Sequence, residues 1–259
     1  TTGHMLLGTD IEAVLTILEG LPITTIGLNC STGPQHMRQS IRYLGENATM
    51  PISCIPNAGL PINVDGQAVY PLEPAPYAEI MTEFVEKYGV NVVGGCCGTT
   101  PEHMQLLVEK LRARDQSMPQ GVISPRLASG VSSMMMVQQP PPFLVGERLN
   151  TQGSRKFKEL LMNGDLEEIS KIARQQVDNG AHGLDVCVAL TERPDEADLM
   201  RQVIKTISPI VNVPLIIDTT ELDVLEIGLQ TAPGRCLINS TNLESGEEKI
   251  RERHPTGCA

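Results

Sequence analysis

A chain of 259 residues is long enough for one large core or two smaller ones, so size does not limit the fold. A formal net charge of -11 at pH 7 leaves no basic face for nucleic acid, and no apolar run approaches the roughly 20 residues of a membrane span. Seven cysteines, an odd number behind an opening Thr1-Thr2-Gly3-His4 that is neither a secretory leader nor a natural start, argue for free thiols and metal ligation in a cytoplasmic piece of a longer protein.

A helix is expected over residues 10–18 and a strand over 23–28. The run Gly27-Leu28-Asn29-Cys30-Ser31-Thr32-Gly33-Pro34 then sets Cys30 just past a strand end. A helix around Met37, Ile41 and Leu44 leads to a strand at 51–55, where Cys54 has ordinary packing character. Over 76–88, Tyr77, Ile80, Met81, Phe84, Val85 and Tyr88 recur at helical spacing, and Gly89 follows where a cap belongs. Val90-Asn91-Val92-Val93 is short, β-branched and apolar, as in a parallel strand buried on both faces. Cys96 and Cys97, in Gly94-Gly95-Cys96-Cys97-Gly98, therefore lie at its carboxyl end. Thr100 suits an N-cap and Pro101 the first helical position, with Met104, Leu107, Val108 and Leu111 as the buried stripe. His36 and His103 each fall in a predicted helix near a cysteine loop; both read as solvent-facing, and neither is named as a ligand.

Residues 119–142 break this grammar with repeated Pro and Gly, three methionines from Met134, and Pro140-Pro141-Pro142, which reads as an interdomain linker. Beyond it, strands are expected at 143–145, 184–189, 213–217 and 235–238, and helices at 166–178, 196–206 and 222–230, with Asp165 and Glu168 as a capping signal. Alternating strands and helices imply α/β modules with parallel sheets, in which ligands bind beyond the carboxyl ends of strands. About three strands precede the linker and four follow it. An eight-stranded barrel takes about 250 residues, so the halves are either small open sheets or the end of one barrel joined to the start of the next.

Zinc favours thiolates in tetrahedral geometry, and three protein ligands with a fourth position for substrate mark a catalytic site. Cys30, Cys96 and Cys97 could supply those three, provided the strand has ended at Cys96, because neighbours within a strand point to opposite faces. The same residues also fit small buried side chains at a tight glycine turn. A metal at such a site would take a soft ligand such as a substrate thiol and deprotonate it, which suggests alkyl transfer to sulfur. In the second half, Glu147 and Asn150, Asp185, Asp218 and Asn239 fall at or near successive strand ends. They could read the donor and acceptor edge of a pterin ring, or each could cap a following helix. The loop 151–156, with Gly153, Ser154 and Arg155, offers amides and basic groups for an anion at a helix start.

Taken together, GLNCSTGP, GGCCGTTPEH, the Pro-rich joint, VGERLNTQGSRKF, LDV, PLIIDTTE and LINSTNLESGEE resemble the cobalamin-dependent methionine synthase family, in order and over nearly the whole chain. The resemblance implies two (β/α)8 TIM-barrel modules, both incomplete here. Residues 1–118 would be the last three or so strands of a homocysteine-binding barrel, with Cys30, Cys96 and Cys97 as zinc ligands. Residues 143–259 would be the first four or so strands of a barrel that binds 5-methyltetrahydrofolate through Asp218, Asn239, the Gly153-Ser154-Arg155 loop and Glu147. It implies methyl transfer from the folate to zinc-activated homocysteine, shuttled by methylcobalamin. That cofactor would belong to a further cobalamin-binding module, since no Asp-x-His-x-x-Gly motif occurs in these residues. Cys187 stands where the family often has asparagine, and His254-Pro255 would interrupt a helix, so the tail with Cys258 departs from the pattern. Two other readings are a cobalamin-independent homocysteine S-methyltransferase, which would share the cysteines, and a truncated zinc- or pterin-binding fragment without activity of its own.

Overall fold

The computed structural model describes residues 3–112 and 118–240. The departures noted at His254-Pro255 and Cys258 lie outside the described residues. In chain order the elements are α1 (Ile11–Leu18), β1 (Ile26–Asn29), α2 (Pro34–Asn47), β2 (Ile52–Ile55), β3 (Ile62–Val64), β4 (Gln67–Val69), α3 (Pro74–Tyr88), β5 (Val90–Val93), α4 (Pro101–Leu111), β6 (Arg126–Ala128), β7 (Ser133–Met135), β8 (Val145–Asn150), α5 (Arg155–Asn163), α6 (Leu166–Asp178), β9 (Gly183–Cys187), α7 (Glu196–Ile207), β10 (Leu215–Asp218), α8 (Leu222–Thr231) and β11 (Leu237–Asn239). The chain divides into two compact units, one of residues 1–6 and 22–123, the other of residues 7–21 and 124–259.

In the first unit β1, β2 and β5 form a parallel sheet in that order, with Ile26 beside Ile52 and Ile52 beside Val90. Its helices turn an apolar face inward: Met37, Ile41 and Leu44 of α2 and Tyr77, Met81 and Phe84 of α3 are buried. α3 stops at Gly89, which takes the left-handed φ of 65° that a Cβ would strain. Between β2 and α3 lies a hairpin the sequence reading missed, β3 and β4, joined through Asp65-Gly66. Asp-Gly is a strong two-residue turn signal.

In the second unit β8, β9, β10 and β11 form a parallel sheet in sequential order. Neither parallel sheet reverses direction of growth, which is the progression of a barrel rather than of a doubly wound sheet. Leu149, Leu184, Val186, Leu215 and Ile217 enter one core with Phe157, Leu161, Ile169, Val203 and Ile204 from the helices. Since strand side chains alternate, Asn150, Asp185 and Asp218 face the other side.

The stretch read as linker is structured in part. β6 and β7 pair as an antiparallel hairpin at 126–135, with Arg126, Leu127, Ala128 and Ser129 buried. α1 packs on this hairpin within the second unit. Thr9 Oγ1 donates to Gly130 O at 2.8 Å, and Asp10 N to Val131 O at 3.0 Å. Beneath lies a buried ion cluster. Glu19, with 1 % of its side chain exposed, meets Arg126 at 3.2 Å and Arg235 at 3.0 Å. Its place in the chain suggested that α1 serves the first module; its contacts group it with the second unit, because its acidic end answers two arginines there.

Candidate metal centre and polar strand-end cluster

Cys30 follows β1, and Cys96 and Cys97 follow β5, so both cysteine loops leave the carboxyl edge of one sheet. The loops are laced together through the end of β2. Cys30 N donates to Ile55 O at 2.9 Å, Cys96 N to Pro56 O at 2.9 Å, and Asn57 N to Thr32 O at 3.0 Å. The Asn57 side chain accepts from Cys97 N at 3.1 Å. Cys30 and Ser31 adopt φ of 58° and 59°, which turns the Cys30 side chain out of the strand direction toward the pair.

The outcome is a trio of sulfurs within 4.8 Å of one another. Cys97 Sγ lies 3.8 Å from Cys30 Sγ and 3.8 Å from Cys96 Sγ. A tetrahedral zinc with bonds of about 2.3 Å needs sulfurs about 3.8 Å apart, so the donor set fits that ion. Electrostatics agree with a shared charge. The Ser31 amide, then the Cys96 and Cys97 side chains, hold the Cys30 thiol below its ordinary pKa, while Cys30 pushes Cys96 above it. One proton is favoured off and the next is held, the state a divalent cation relieves.

His103 is not solvent-facing as expected; it is 4 % exposed. Its Nδ1 accepts from Thr100 N at 3.2 Å in a capping box, and its Nε2 lies 2.9 Å from Leu72 O. Both ring nitrogens are engaged, and neither is offered to a metal. His36 is exposed. Cys54 is buried, and burial pushes its thiol up to about 12, the character of an inert packing residue.

In the second unit the polar strand-end residues meet on the face opposite the helices. Asn150 Nδ2 donates to Asp185 Oδ2 at 2.9 Å and to Asp218 Oδ2 at 3.0 Å, and Asn239 Nδ2 to Asp185 Oδ1 at 3.5 Å. Four consecutive strands thus contribute one acceptor–donor chain. Burial first, and then the neighbouring Asp185 carboxylate, raise the Asp218 pKa, opposed by the Asn150 hydrogen bond. Glu147 is exposed on β8, and its charge adds to the same shift. Ser154 caps α5 by accepting from Phe157 N at 3.2 Å. The amides of Gly153 and Ser154 turn to the Asn150 carbonyl at 3.2 and 2.8 Å, and Arg155 is exposed. Cys187, the last residue of β9, is 5 % exposed.

Sequence reasoning missed Asn57, whose side chain holds the Cys97 backbone, and Tyr70, whose side chain packs against Gly98 beside the cysteine pair. Asn57 stands two residues past a predicted strand, so the strand-end rule would have found it. Tyr70 carries no such signal, because a hairpin brings it there. No described helix is long and apolar enough to cross a membrane.

Residues 1–111 match the family model described as homocysteine S-methyltransferase, and residues 146–254 the one described as pterin binding enzyme. Proteins named methionine synthase from Mycobacterium leprae (strain TN) and Mycobacterium tuberculosis (strain ATCC 25618 / H37Rv) are each 39 % identical to the chain, over 252 and 247 residues. Each alignment covers 95 % of this chain, and the chain spans 21 % of the length of each relative.

Proposed function

From the premise that a homocysteine S-methyltransferase segment and a pterin-binding segment stand in tandem in this chain, as part of a sequence related to methionine synthases, we propose that it is a piece of a methyltransferase of methionine biosynthesis. The longer protein would pass a methyl group from 5-methyltetrahydrofolate, by way of cobalamin on another module, to the sulfur of homocysteine. The units described here would be the closing arc of one (β/α)8 barrel and the opening arc of another, joined near residues 119–142. The free state of all six described cysteines supports a cytoplasmic setting.

One observation carries the reading: three sulfurs from two loops within 4.8 Å of one another, with two of the pairs at the 3.8 Å spacing of a zinc tetrahedron. Cys30, Cys96 and Cys97 would hold the ion, and a substrate thiol would complete its shell. When bound, zinc would supply Lewis acidity that lowers the pKa of a ligating substrate thiol toward neutrality. The loops orient that sulfur; Asn57 fixes the Cys97 backbone and Ser31 favours the Cys30 thiolate. In the second unit Asp185, Asp218, Asn150 and Asn239 present carboxylate acceptors beside carboxamide donors, suited to the edge of a pterin. Glu147 and the Gly153-Ser154-Arg155 loop would flank the same ligand. A homocysteine S-methyltransferase that works without cobalamin would leave residues 146–254 without a role.

Zinc per chain and folate titration test the two halves. The parent should hold one zinc that Cys96→Ser loses, and bind methyltetrahydrofolate that Asp218→Ala and Asn239→Ala weaken at least tenfold. Unchanged zinc in Cys96→Ser, or equal folate binding in parent and both variants, would reject the corresponding site.

A further inference from the structure

The polar side chains at the ends of β8 to β11 differ in how much of their hydrogen-bonding capacity the fold has already used. A carboxamide has two N–H donors and one oxygen with two lone pairs. In Asn150 all four are taken. Its Nδ2 donates to Asp185 Oδ2 at 2.9 Å and to Asp218 Oδ2 at 3.0 Å, while its Oδ1 accepts from Gln152 N at 2.8 Å and from Gly153 N at 3.3 Å. The loop that follows is pinned as well. Thr151 Oγ1 and Gln152 Nε2 both donate to Ala189 O, at 2.7 and 3.2 Å, and Thr151 N donates to Cys187 O at 3.0 Å. Loop and turn together fix the direction of the Asn150 carboxamide, which keeps no donor or acceptor for a ligand. Asn239 differs, because its contact with Asp185 Oδ1 is stretched to 3.5 Å.

Resting on the pterin reading above, we propose that Asn150 is a positioning residue of the folate site, which does not touch the ligand but holds the Asp185 and Asp218 carboxylates together in the orientation that receives it. Neighbouring carboxylates repel, and without a donor between them one tends to keep its proton. Around Asp218 stand Asp185 and Cys187 of β9 and Glu147 and Asn150 of β8. Burial and then the Asp185 carboxylate push the Asp218 pKa up, and the Asn150 hydrogen bond holds it back. Asn150→Asp separates the two ends of this side chain: it keeps an oxygen for the Gln152 and Gly153 amides and loses both donors. Asn150→Ala loses the turn as well.

The test is titration of methyltetrahydrofolate into the full chain between pH 5 and pH 8, with carboxyl-carbon NMR of Asp185 and Asp218 in the ligand-free chain as a second readout. Asn150→Asp should bind about tenfold more weakly than the parent at pH 7, and the deficit should shrink as pH falls toward 5 and the cluster takes up a proton in place of the lost donor. In Asn150→Asp and Asn150→Ala alike, one of the two carboxylates should begin to protonate at higher pH than in the parent, a change that a merely structural turn would not produce. Parent-like binding in both variants, or an equal loss at every pH with unmoved carboxyl titrations, would overturn the role of Asn150 while leaving the folate site standing. A parent that binds no methyltetrahydrofolate would reject the folate reading and the place of Asn150 in it, even where the carboxyl titrations move.

Discussion

Asp218 is costly to keep ionised where β10 puts it, half-buried with a second carboxylate, Asp185, tied to the same Asn150 amide. Its folded-state pKa is raised, so the penalty begins as pH climbs past the ordinary value of 3.8 and is complete above the folded-state value. Asp218→Asn keeps an acceptor for Asn150 and removes the charge. It should raise the thermal midpoint at pH 7 by about 2 °C, lose that gain as pH falls toward 4, and weaken methyltetrahydrofolate binding at every pH. Melts of both proteins across that range check it; a midpoint at pH 7 no higher than the parent's would contradict the penalty. Sites often carry such a cost in stability for function. The sequence showed that Asp218 and Asn239 end strands, but not that Asn150 would bridge two carboxylates, because that depends on which strands become neighbours.

At the scale of elements, α1 shows how a helix can be legible and its partner not. Asp10 caps it as an N-cap should, accepting from Ala13 N at 2.6 Å, and its span follows from local pattern. Its allegiance follows from Glu19, which finds Arg126 and Arg235 at separations of 107 and 216 residues. Removing one member of a buried ion pair leaves the other charged and desolvated, at a cost of about 3 kcal/mol or more. Glu19→Gln should therefore lower the unfolding free energy of the second unit, read from denaturant melts, by an amount of that order, while the zinc content of the first unit stays as in the parent. A change below about 0.5 kcal/mol, typical of surface substitutions, would show that the cluster does not hold α1 in place. The hairpin of β6 and β7 was unreadable for a related reason: Pro and Gly mark its flanks as linker, and its strands have three residues each, too few for a period of two to show.

At the scale of the whole molecule, two units with their own sheets should unfold as separate transitions rather than one. A ligand that binds only the native form of one unit stabilises that unit by mass action, about 2.7 kcal/mol at a hundredfold excess over Kd. Chelation of zinc should then lower one calorimetric transition and leave the other in place, and Cys96→Ser should show the lowered transition with or without metal. Movement of both transitions on chelation would mean that the metal holds more than the unit carrying the cysteines. The sequence by itself determined the alternation of strands and helices, the caps at Gly89, Thr100 and Asp165, and the placing of Cys30, Cys96 and Cys97 past strand ends and of Asp218 and Asn239 at them. All of these are set by residues within a few positions of one another, through periodicity, φ preference and side-chain-to-backbone hydrogen bonds. Tertiary structure alone decided that His103 is buried with both nitrogens engaged, that Tyr70 packs against Gly98 beside the cysteine pair, and that α1 groups with the second unit. Each of these depends on packing, burial or charge pairing between segments 28 to 216 residues apart in the chain, and no local pattern records such partners.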